Sequence, residues 1–141
     1  MTALHSCNIE DKMNSPALSK PLLILVAGPY RSGTGDDPAK MAANLHRLEA
    51  VSLPLFRKGH IPVIGEWLAL PLGKQAGSAG VQDPIYDEFA YPVAERLLAH
   101  CDAVLRLDGA SKGADQDVAL AKARGLPVYY DLAEVPAADP A

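Results

Sequence analysis

Residues 22–27 read Leu-Leu-Ile-Leu-Val-Ala, six apolar residues in a row that run into a glycine. A strand with one face in water alternates apolar and polar side chains. A short run that is apolar at every position belongs to a strand covered on both faces, as in a parallel sheet. Parallel strands cannot be joined by a tight hairpin; they need long crossovers, usually helical.

The rest of the chain supplies those crossovers. Ile61–Ile64 reads as a second strand, and Pro62, which cannot donate to a ladder, assigns it to a sheet edge. Ala103–Leu107 and Val128–Tyr130 read as a third and a fourth. Between the first two, Asp37-Pro38 is a helix start, with Met41, Leu45, Leu48, Val51 and Leu55 following at helical spacing. Residues 86–100 place Phe89, Val93, Leu97 and Leu98 on one helix face, and 115–124 form a further helix. This alternation predicts an α/β chain: a single flavodoxin-like or Rossmann-like domain, four or five parallel strands, the first strand central, helices on both faces.

Punctuation sets the expected limits. Pro54 is expected to kink or end the first helix early, and Gly59 to stop it. Residues 71–84 carry Pro71, Gly73, Gly77, Ser78, Gly80 and Pro84 and read as a long loop, a lid or partner-binding segment. Residues 1–20 read as a flexible leader, 21–133 as the domain, and 134–141 as a tail that frays after a short helix at Asp131.

The composition removes several function classes. Of 141 residues, 13 are basic and 17 acidic, a net charge of −4 without a basic run, which argues against nucleic-acid binding by phosphate neutralisation. No apolar run approaches the ~20 residues of a membrane span, and the first 20 residues lack a signal-peptide pattern, so a cytoplasmic protein is expected. Cys7 and Cys101 belong to no metal-spaced set, and Cys101 reads as a buried, inert thiol. His5, His46, His60 and His100 lack ligand spacing, so no metal is assigned, and His60 reads as a turn residue.

Chemistry concentrates at Ala103–Asp117. An apolar strand meets the turn Asp108-Gly109, then the small-residue loop 110–113, then a helix. Free backbone N–H groups at such a helix start form an anion site. Asp117 is expected in the first turn beside it, at the carboxyl edge where open α/β sheets bind ligands. The glycine-rich loop 28–35 has neither the G-x-G-x-x-G nor the Walker spacing, which disfavours a dinucleotide or P-loop site.

The two loops together resemble a known family. Gly28-Pro-Tyr-Arg-Ser-Gly33 is similar to the Gly-Ser-Ile-Arg-Gly-Gly loop of the nucleoside 2-deoxyribosyltransferase-like superfamily, which includes deoxynucleoside-monophosphate N-glycosidases. Ser111-x-Gly113-x-x-x-Asp117 resembles its Ser-x-Gly-x-x-x-Glu segment, Leu98-x-x-Cys-Asp102 its Leu-x-x-Ala-Asp, and Gly59-His-x-Pro-Val-x-x-Glu66 its second-strand region. Asp117 stands where the family has Glu, and Ala94 where it has Asp.

The resemblance implies cleavage of, or deoxyribosyl transfer at, the N-glycosidic bond of a nucleoside or nucleotide. Asp117 would be nucleophile or electrostatic stabiliser, with Glu95 or Asp87 as acid/base partner. Gly28, Tyr30, Arg31, Ser111, Gly113 and Glu66 would line the substrate site. It implies no cofactor, and a homo-oligomer whose subunits complete each other's sites.

Each residue also has a plainer reading: Asp117 as a helix-dipole charge, Arg31 and Glu95 as solvated charges, Ser111 as a cap, Asp108 as a turn former, Trp67 as core rather than a base-stacking wall. The alternatives at the level of the chain are a non-catalytic nucleotide-binding module of the same fold and a structural assembly domain.

Overall fold

The computed structural model describes residues 18–138. The leader expected at 1–20 falls largely outside the described residues, and Cys7 lies entirely outside them. Four strands form one parallel sheet: β1 (Leu23–Ala27), β2 (Ile61–Val63), β3 (Ala103–Arg106) and β4 (Val128–Tyr129), in the order β2-β1-β3-β4. β1 is interior and β2, with Pro62, is at an edge, as the sequence predicts. Among the described residues four helices connect and flank the strands: α1 (Pro38–Arg57), α2 (Glu66–Gln75), α3 (Pro84–Leu98) and α4 (Lys112–Ala123).

The uniform apolarity of β1 has a direct structural use. Ile24 and Val26 point to one side and pack with Leu48 and Leu55 of α1 and with Ala103 and Leu105 of β3. Leu25 and Ala27 point to the other and pack with Leu98 of α3, Ala114 and Ala121 of α4, and Val104. Period-two alternation therefore feeds two cores, one on each face of the sheet. A third cluster joins Met41 of α1, Ala69 of α2, and Val81 and Tyr86 beside and on α3.

Pro54 and Pro71, read as helix-ending and loop residues, lie inside helices, as does Pro92. α1 runs through Pro54 to Arg57, α2 contains Pro71 and α3 contains Pro92. An interior proline removes the bond to the carbonyl four residues back, at a cost of ~3 kcal/mol. Those carbonyls belong to Ala50, Trp67 and Glu88, all exposed residues, and a lost partner costs less on a solvent-facing helix side than in the core. Burial beyond the proline, as at the fully buried Leu55, holds the last turn in place.

The expected loop at 71–84 is therefore corrected: residues 71–75 are the end of α2, Pro84 opens α3, and only 76–83 connects the two helices. Even there Val81 is buried and the Asp83 side chain caps α3 by accepting the Ile85 N–H at 3.0 Å.

The expected tail is corrected as well. After a short 3-10 helix at Leu132–Glu134, Val135 is fully buried and Ala138 pairs with Ser19 in a parallel bridge. Lys58 donates from Nζ to the carbonyls of Leu132 and Val135. His60 is a buried clamp as well as a post-turn residue: Nδ1 accepts the Leu22 N–H at 3.0 Å and Nε2 meets the Pro136 carbonyl at 2.6 Å. Gly59 sits at φ +100°, and a Cβ there would lie 2.6 Å from that of Ala138, so the turn ending α1 needs a glycine both for its backbone and for the returning chain.

No helix among the described residues is long and apolar enough to cross a membrane.

Candidate functional site

The loops that follow β1, β2 and β3 meet at the carboxyl edge of the sheet and enclose a cavity of about 670 Å³. That edge, on either side of the strand where the connections change direction, is the usual ligand crevice of open α/β sheets.

The β1 loop contributes Gly28, Tyr30 and Arg31. Gly28 lets the chain pass between helix and strand: a Cβ there would come within 3.0 Å of Leu48 and 3.2 Å of Leu107. The Arg31 guanidinium is held in a fork by Asp36, Nε to Oδ1 at 2.6 Å and Nη2 to Oδ2 at 3.1 Å. This hydrogen-bonded pair raises the pKa of Arg31 and lowers that of Asp36. Asp36 sits at φ +61°, a left-handed conformation costly for a non-glycine residue and held here by the turn around Thr34. The Tyr30 carbonyl accepts from Asn44 of α1 at 2.9 Å, which ties the loop down.

From α2 comes Glu66, and from α3 Tyr86 and Asp87. Burial pushes the Glu66 carboxyl above its ordinary pKa. Tyr86 is buried, and burial together with the nearby Glu66 charge raises its phenol. The same two causes raise Tyr30.

From the third loop come Ser111, Gly113 and Asp117. Ser111 is the N-cap of α4, its Oγ accepting the Ala114 N–H at 3.1 Å. Lys112 and Gly113, whose N–H groups are among the four that a helix start leaves without helical partners, line the cavity. Because α4 starts at Lys112, Asp117 falls in the second turn, not the first. Asp115 occupies the dipole-complementing position instead.

Asp117 is partly buried, and its carboxyl is pushed up to about 7. Burial is the main cause and the Glu66 charge the next, against an opposing pull from Arg106. A carboxyl with that value exchanges a proton near neutral pH, which is what acid–base or nucleophilic work requires.

The structure thus brings Gly28, Tyr30, Arg31, Glu66, Asp87, Ser111, Gly113 and Asp117 to one cavity. Glu95 is not among them: it is exposed on α3, and Ala94 takes the wall position. Trp67 is corrected on both readings, being neither core nor cavity wall. It is 39% exposed and donates from Nε1 to Glu49 at 2.8 Å. Asp108 starts a turn, with Gly109 at φ +112°, and Arg47 of α1 pins it by its carbonyl and carboxylate.

Sequence reading missed Asp36 and Lys112, charges in the two loops that line the cavity, and two less conspicuous contributors, Tyr86 and Arg106. Tyr86 resembles any aromatic on an apolar helix face. Arg106 ends a strand otherwise made of Ala103, Val104 and Leu105, and a charge inside that run was the available signal.

Among the described residues no three or more His, Cys, Asp or Glu side chains gather as a metal site. Compared with protein-family models, curated proteins and solved structures, the chain gives no match.

Proposed function

We propose that the cavity binds a nucleoside and breaks, or transfers across, its N-glycosidic bond, with Asp117 and Glu66 as the working carboxyl pair. The observation that carries this reading is the pairing itself: two desolvated carboxyls share one cavity, and Asp117 titrates at about 7. The resemblance of the 28–33 and 111–117 segments to deoxyribosyltransferase-like loops supports the same chemistry. Glu66 takes the partner role expected of Glu95 or Asp87: Glu95 does not line the cavity, and Asp87 lines it but is exposed, whereas the Glu66 carboxyl is desolvated.

In this reading the Asp117 carboxylate attacks, or electrostatically supports, the anomeric carbon as positive charge builds there. The C–N bond breaks and its electron pair stays on the base nitrogen, which takes a proton from Glu66. Water or a second base then displaces Asp117 and returns a proton to Glu66. Tyr30 and Tyr86 supply flat apolar walls for a base or sugar face.

Charge favours a nucleoside over its 5′-phosphate. Glu66, Asp117, Asp87 and Asp36 face Arg31 and Lys112, and Arg31 is already committed to Asp36.

The test is a panel of nucleosides and their 5′-monophosphates monitored for released free base. Release that disappears in Asp117→Asn is the expected result. No release from any member refutes the reading, and binding without release converts it to that of a binding module.

A further inference from the structure

Arg106 stands at the carboxyl end of β3 with a side chain only 10% exposed. A buried guanidinium is tolerated only when its donors are satisfied. Here Nη1 donates to the carbonyls of Leu107 and Gly109, and Nη2 pairs with Asp115 Oδ1 at 2.7 Å. One side chain therefore ties the strand end to the loop that follows and to the first turns of α4. Its salt-bridge partner, Asp115, lies two residues before Asp117 on the same helix.

We propose that Arg106 is the positioning residue for Asp117: it braces the 107–111 loop and the start of α4, and Asp115, by sharing its charge, limits how much of that charge reaches Asp117. The proposal deepens the catalytic reading above, but its test does not depend on turnover.

The two partners of the salt bridge act on Asp117 with opposite sign. Arg106 is a cation that favours an ionised Asp117. Asp115 is an anion that neutralises Arg106 and so weakens the pull of that cation on Asp117. Other groups around the cavity hold a fixed background: Glu66, Asp87, Tyr30 and Tyr86 on one side, and Lys112 with the mutually paired Arg31 and Asp36 on the other. Cys101, ahead of β3, feels the Asp117 charge and its thiol is raised to about 11, chiefly by burial, so it stays neutral in the relevant range. A purely structural brace would respond alike to loss of either end, whereas an electrostatic one splits.

The experiment follows the Asp117 carboxyl carbon by NMR titration of the full chain, assigned against Asp117→Asn. In Arg106→Gln the midpoint rises, and in Asp115→Asn it falls, each by roughly half a pH unit or more. Arg106→Lys, which keeps the charge, returns the midpoint toward wild type. Should Arg106→Gln fail to fold, Asp115→Asn still decides, because the Asp115 side chain is 73% exposed and its loss leaves the core intact. Shifts of the same sign in both variants, or an unmoved midpoint in Asp115→Asn, overturn the proposal. If the shifts appear but the wild-type chain releases no base from any nucleoside, the catalytic reading fails and the electrostatic one stands.

Discussion

Glu66 and Asp117 line one cavity from opposite sides of β1, Glu66 after β2 and Asp117 after β3, and the Glu66 charge raises the Asp117 pKa. Titration of the two is therefore coupled, and a pH–rate profile reports values that belong to the pair. The active form carries one proton on the pair, held on Glu66 with Asp117 ionised, so activity falls as pH climbs through about 7, where the last proton of the pair leaves. Glu66→Gln removes both the repelling charge and the proton donor, so Asp117 ionises at lower pH, maximal turnover falls and the falling limb near 7 disappears. A limb that stays in place in Glu66→Gln would separate the two residues.

Asp117→Asn predicts a trade of function for stability. The folded pKa of about 7 lies above the ordinary 3.8. A raised carboxyl favours the folded state below the unfolded value, and that advantage is lost as pH climbs through the folded value. Above pH 7 the native state carries the full penalty of a desolvated charge, at roughly 1.4 kcal/mol for each pH unit between the two values. The neutral, nearly isosteric Asn avoids it. The unfolding free energy from urea titration should rise in the variant at pH 8 by about 1–3 kcal/mol, the part of the roughly 4 kcal/mol penalty that remains after the cost of burying the Asn amide, and differ little at pH 4. Turnover should fall by more than ~100-fold. Equal stability of the two proteins at pH 8 would mean that Asp117 is not held at a cost.

The substrate's charge is the third expectation. Because Arg31 is already forked by Asp36, a 5′-phosphate meets more carboxylates than free cations. Like charges at cavity distances are repulsive even at a surface-like dielectric, so kcat/KM for a nucleoside should exceed that of its 5′-monophosphate by at least ~10-fold. Freeing Arg31 by Asp36→Asn should narrow the gap. A phosphate preference in the wild type would transfer the anion role to Lys112 and the start of α4.

The fold was legible because its strongest signal is doubly determined. Every residue of β1 is apolar since each face feeds a separate core, and only a parallel sheet between helices asks for that. The site loops were legible for a related reason: small residues directly after strands mark the sheet's carboxyl edge. The failures have local causes. Pro54 was read as a helix end and Pro71 as part of a loop, but the residues whose carbonyls they abandon, Ala50 and Trp67, lie on exposed helix faces, where the loss costs less than burial returns. Glu95 was one position out of phase, and 100° of helical rotation separates the wall from the solvent. A charge in the apolar β3 run marked Arg106, but its role was hidden because its partners, the Leu107 and Gly109 carbonyls and Asp115, are assembled by the turn it braces.

The C-terminal segment gives the last prediction. Val135 is fully buried in the cluster with Ile24, Val26, Leu48 and Leu55. The carbonyls around it are held by Lys58 and His60, and Ala138 closes a bridge to Ser19. This segment covers the α1 side of the sheet at the end opposite the cavity, where β1 and β2 begin. Val135→Ala removes two buried methyl groups and leaves a void, which should cost about 2 kcal/mol in urea unfolding. A chain ending at Asp131 would also strip His60 and Lys58 of their acceptors and should lose several kcal/mol more, since a buried polar group left unpaired costs about 1–3 kcal/mol. Base release at a temperature where both proteins are folded should be unchanged in Val135→Ala. An unaltered urea midpoint in the truncated chain would return the segment to the status of a loose tail.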